Sequence, residues 1–89
     1  MNYTPTSHIN TLKDVRAFFN HLAFERNLSF HPDDDFSTYV HYLSNKPIFK
    51  EEEIKMYNRL MGESFEVCDK ADHDIYEIGL QVMRKVLAN

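Results

Sequence analysis

Glycine occurs twice and proline three times in this chain of 89 residues. A fold with so little turn chemistry is built from helices rather than from strands joined by tight turns. Tryptophan is absent, and cysteine occurs once, as Cys68. A lone cysteine excludes an intramolecular disulfide and fits a reducing compartment. No apolar run approaches the ~20 residues of a membrane span. The opening Met1-Asn2-Tyr3-Thr4-Pro5 lacks the basic and apolar regions of a signal peptide, so the expected location is cytoplasmic. Without a secretory route, the glycosylation triplets Asn2-Tyr3-Thr4 and Asn27-Leu28-Ser29 are chance matches. Bases are outnumbered, ten to fourteen acids, giving a net charge of −4. Beyond Arg84-Lys85 they do not cluster, which argues against nucleic acid as a partner.

Hydrophobic residues make up 43% of the chain, enough for a folded globule. A domain of this length buries roughly 60–65% of the surface its unfolded chain exposes, so its core is sufficient but has little stability to spare. Residues 1–10 are polar and aperiodic and are expected to form a flexible N-terminal arm. Residues 11–89 read as a single helical domain.

Thr11 offers an N-cap, and Asp14 three positions on completes a short capping box. Leu12, Val15, Phe18, Phe19, Leu22 and Ala23 then follow at helical spacing. Arg26 suits the negative end of the helix dipole, and Asn27 suits a left-handed cap. Leu28 to Pro32 reads as an extended connector, because Pro32 disfavours helical geometry at His31. A short helix from Asp33 or Asp34, burying Phe36, Tyr39, Val40 and Leu43, is expected next. A strand is the alternative there, given the β-branched and aromatic content of 36–42. Ser44-Asn45-Lys46-Pro47 breaks the chain.

Glu51 to Ala71 reads as one long helix. Ile54, Met56, Tyr57, Leu60, Met61, Phe65, Val67, Cys68 and Ala71 fall on one half of the wheel, with Gly62 on the polar half. Gly62 costs about 1 kcal/mol against alanine, and a break there would make two short helices. Asp72 is the expected N-cap of a last helix reaching about Leu87, with a stripe of Ile75, Ile78, Val82 and Val86. Tyr76, Gly79, Leu80, Met83 and Leu87 widen that stripe past half the circumference. A face so broad is wedged between neighbours or kept for a partner.

Acids gather at three proposed helix starts, Asp33-Asp34-Asp35, Glu51-Glu52-Glu53 and Asp72 with Asp74. Bases gather near four ends, at Arg26, Lys46, Lys70 and Arg84-Lys85. Dipole complementarity accounts for this pattern without a ligand. His31 with the three aspartates also offers hard oxygen donors beside an imidazole, as a metal site would. The run has no glycine-bearing calcium loop, and neighbours at a helix start splay apart, so capping is the preferred reading. Cys68, Asp72, His73 and Asp74 lie close in sequence but match no zinc spacing. Cys68 sits on the apolar stripe as a small hydrophobe. His8 lies in the arm, and His21 and His41 fall off their apolar stripes and are expected in solvent.

These observations point to an all-α fold, a small antiparallel bundle of about four helices with the second one short. The expected function is a protein–protein interaction or regulatory module without catalysis or cofactor. Its partner would be another protein or a second copy of the chain, not nucleic acid or a membrane. Candidate contact residues are Phe24, Leu28, Phe30, Leu80, Met83 and Leu87, although Phe24 and Phe30 also suit a role in sealing the core. The alternative is a metal-binding or metal-dependent hydrolytic domain using His31, Asp33, Asp35 and His73. An acidic decoy for a nucleic-acid-binding protein is a third reading, for which −4 is a modest charge.

Overall fold

A computed structural model describes residues 3–88. The chain is all-α, with three helices and no strand among the described residues. Helix α1 spans Leu12–Asn20 and runs on into a π turn, His21–Glu25. A single 3-10 turn, Phe36–Thr38, follows, and then the helices α2 (Glu51–Lys70) and α3 (Ile75–Ala88).

Local chemistry sets the ends of α1. The Asp14 N–H donates to Thr11 Oγ1 at 3.1 Å, and the Thr11 N–H donates back to Asp14 Oδ2 at 3.1 Å. That is the reciprocal capping box. At the far end the Arg26 N–H reaches His21 O at 3.0 Å, five residues back. Asn27, at φ 52°, then turns the chain in the left-handed region. Helix α2 carries Glu51, Glu52 and Glu53 in its first turn and continues unbroken through Gly62. It ends in a Schellman motif, in which the His73 N–H donates to Cys68 O at 2.9 Å and the Asp72 N–H to Asp69 O at 3.2 Å. Asp72 occupies the left-handed position of that motif, φ 52°. It therefore closes α2 and does not cap α3. The cap is Asp74, whose Oδ1 accepts from the Tyr76 N–H at 2.9 Å.

The expected second helix is corrected to one 3-10 turn. Asp35 caps it, accepting from the Ser37 N–H at 2.9 Å. The Phe36 N–H is taken by Asn58 Oδ1 on α2 at 3.0 Å. Tyr39 is already extended, and Val40 forms an isolated antiparallel bridge with Pro47. Phe36 is buried as expected. Tyr39 is half-buried, whereas Val40 and Leu43 face outward. A bridge between two chain segments satisfies the backbone here in place of a helical ladder.

The core is aromatic at its centre. Phe18, Phe36 and Phe49 gather around Tyr57, and Phe19 meets Phe30 edge-on at 5.0 Å. Leu22, Leu60, Ile78 and Val15 complete it. Residues 3–10, expected as an arm, lie against this body. Ile9 is buried, and its N–H donates to Glu63 Oε1 at 2.8 Å. The Arg59 guanidinium bridges Glu63 Oε2 at 2.7 Å and Pro5 O at 2.8 Å.

Candidate functional site

The connector Leu28–Pro32 crosses α3, and α3 has no side chain at the crossing. A Cβ on Gly79 would lie 3.7 Å from Pro32 Cγ, so the ring seats closely on the helix. The two elements leave a trough of about 320 Å³ between Phe30, His31 and Pro32 on one side and Tyr76, Gly79, Leu80 and Met83 on the other. Its lining is mainly apolar, with polar groups at one end. There the Tyr76 hydroxyl donates to Asp33 Oδ1 at 2.7 Å, and the His31 ring lies 5.7 Å from the Tyr76 ring. That hydrogen bond, followed by desolvation and the charges of Asp33 and Asp74, raises the phenol above its ordinary pKa. The Asp33 carboxylate therefore stands at the Tyr76 end of the trough, whereas that of Asp74 caps α3 at the neighbouring hollow.

The six candidate contact residues divide between different places. Phe30, Leu80 and Met83 line the trough. Phe30 is nonetheless a core residue, since the connector folds back and seats its ring on Phe19. Leu80 is 53% exposed. Leu87, two turns further along α3, is 85% exposed and lies outside the trough. Phe24 is exposed on the π turn and Leu28 packs against the core, and neither lines the trough.

A second apolar feature was hidden in the sequence by the expectation of a helix. Residues 40–47 form a closed loop held by the Val40–Pro47 bridge, by the His41 N–H on Lys46 O at 2.9 Å and by the Asn45 N–H on His41 O at 2.8 Å. Tyr42 and Leu43 stand at its tip, 89% and 83% exposed. The turn residues Asn45 and Pro47 and the strand-prone composition before them were the available signal.

The carboxylates of the alternative metal reading each face their own partner. His31 Nδ1 accepts from the Asp33 N–H at 3.1 Å. Asp34 Oδ2 accepts from the Tyr39 hydroxyl at 2.8 Å, and Asp35 Oδ1 from Asn58 Nδ2 at 3.0 Å. His73 lies in the α2–α3 turn, beside a hollow lined by Cys68, Asp69, Asp72 and Asp74. Among the described residues no three His, Cys, Asp or Glu side chains are grouped to hold a metal ion. The Cys68 thiol is buried, and that desolvation raises its pKa, away from the reactive thiolate.

His21 is corrected from solvent to the interior. Its Nδ1 lies 2.6 Å from Glu25 Oε2, one turn on, and its Nε2 2.9 Å from the Tyr57 hydroxyl on α2. With the proton on Nδ1, facing the carboxylate, Nε2 accepts from the phenol. Desolvation, opposed by the charge of Arg26 and aided by those of Glu53 and Glu25, raises the Tyr57 pKa and keeps that donor protonated. The chain of groups links the π turn to α2. Comparison with protein-family models, with curated proteins and with solved structures gave no match.

Proposed function

We propose that the protein is a small protein–protein interaction module whose docking face is the trough between the connector and α3. The observation that carries this reading is the half-exposed Leu80 beside a preformed apolar cleft. Singly exposed apolar side chains are ordinary, but one that borders an apolar cleft extends it into a patch of the kind that marks contact sites. Phe30 packs on Phe19 and Pro32 against Gly79, so these two side chains of the wall are ordered before docking, which lowers its entropy cost. The cleft lies at the small end of ligand-sized cavities and has room for one or two large side chains. No helix among the described residues is long and apolar enough to cross a membrane. The cytoplasm is the compartment this reading assigns, because Cys68 is a free, buried thiol.

The test compares the wild-type chain with Leu80→Asp, both checked for helicity by circular dichroism, as bait in extracts of the source cells. A protein retained by the wild type and lost from the variant supports the reading. Retention that is indifferent to Leu80→Asp contradicts it.

A further inference from the structure

We infer that the trough receives the Tyr42–Leu43 tip of a second copy of this chain, so that copies associate head to tail. The inference rests on the docking reading above and names the occupant. Both halves of the contact are present on one molecule. The receptor is an apolar cleft of about 320 Å³ with the Asp33 carboxylate at its Tyr76 end. The anchor is a pair of large side chains, 89% and 83% exposed, on a loop closed by the Val40–Pro47 bridge. A tip held in shape before contact loses little entropy on insertion, and a tyrosine beside a leucine is the kind of anchor that fills such a cleft.

Charge points to the same occupant. Residues 36–50 carry Lys46 and Lys50 and no acid, in a chain whose net charge is −4. The tip is thus a basic segment of an acidic protein, and the cleft has a carboxylate at one end. Lys46, within the closed loop, enters beside Asp33 when the tip is seated. Such pairing steers approach and fixes orientation more than it adds affinity. Because tip and cleft are different surfaces, the contact is heterologous, and each added copy keeps one free tip and one free cleft. Mass should therefore grow with concentration past the dimer, and salt should reverse it.

The experiment is sedimentation of the full chain, first alone and then as a mixture of two variants. Tyr42→Ser/Leu43→Asp removes the anchor, and Leu80→Asp spoils the cleft. All three positions are exposed, and circular dichroism verifies that each variant is folded. The wild type should self-associate at concentrations up to about 1 mM. Each variant alone should be monomeric. Their mixture should form a 1:1 dimer that grows no further, since one intact cleft meets one intact tip. A wild type that stays monomeric overturns the inference and leaves the docking reading to its own test. So does self-association that survives either variant, or a mixture that does not pair. A monomer that instead binds anionic vesicles through Tyr42 and Leu43 also overturns it, in favour of a membrane surface.

Discussion

His21 shows how a polar side chain becomes interior. Nothing in α1 alone buries it, but Tyr57 on α2 and Glu25 on the π turn fill both ring nitrogens. A buried, unpartnered acceptor costs about 1–3 kcal/mol. Tyr57→Phe should therefore lower stability by about that amount in urea denaturation, and a loss below about 0.5 kcal/mol would contradict the link. Glu63 makes a second long-range tie. Burial alone would raise its pKa, but hydrogen bonds from the Ile9 N–H, Arg59 and His8 outweigh it and hold the carboxyl below the ordinary glutamate range. The unfolded chain binds that proton more readily, so the stabilisation is complete above the ordinary value and is lost as pH falls through the folded one. Stability of the wild type should thus decline on acidification more steeply than that of Glu63→Gln. Equal slopes would mean that the clasp on residues 5–9 contributes nothing.

The α2–α3 junction separates two aspartates with different tasks. Asp74→Ala should cost about 0.5–2 kcal/mol, as loss of an N-cap does. Asp72→Gly should be neutral or stabilising, because glycine occupies the left-handed region without a Cβ penalty. The reverse order in thermal denaturation would restore Asp72 as the cap. Both residues are acidic and adjacent to the break, and only the backbone turn distinguishes the left-handed Asp72 from the cap Asp74. Helices α1, α2 and α3 were legible because capping boxes, acidic first turns and 3.6-residue periodicity are local signals. Residues 33–48 were not. Phe36, Tyr39, Val40 and Leu43 have helical spacing, yet Asn58 on α2 takes the Phe36 N–H and the Val40–Pro47 bridge closes the backbone across the loop. Those partners are remote in sequence. The candidate site was legible in the same proportion. Leu80 and Met83 could be read from the breadth of the α3 stripe, but the cleft depends on where Pro32 crosses Gly79, and the helical spacing of Leu43 with Phe36, Tyr39 and Val40 hides the exposed tip.

The molecule as a whole encloses an aromatic core with three helices and the docked segment 3–10, and, besides single exposed side chains such as Phe24 and Leu87, it leaves two apolar features outside. One is a cleft near a carboxylate, and the other is a tip near lysines. Separating them from the core is a matter of stability: Leu43 is 83% exposed, so Leu43→Asp should change the unfolding free energy by no more than about 0.5 kcal/mol, whereas Leu80→Asp, half-buried in mid-helix, should cost more without unfolding the chain. The most direct measurement of what these features do is a concentration series of amide NMR spectra at low salt. The expected result is a coupled movement of signals from His31, Asp33, Tyr76, Gly79 and Leu80 with those of Tyr42 to Lys46, while α1 stays still. Spectra that do not change with concentration, or changes confined to α1 and the exposed face of α2, would contradict docking of the tip in the cleft.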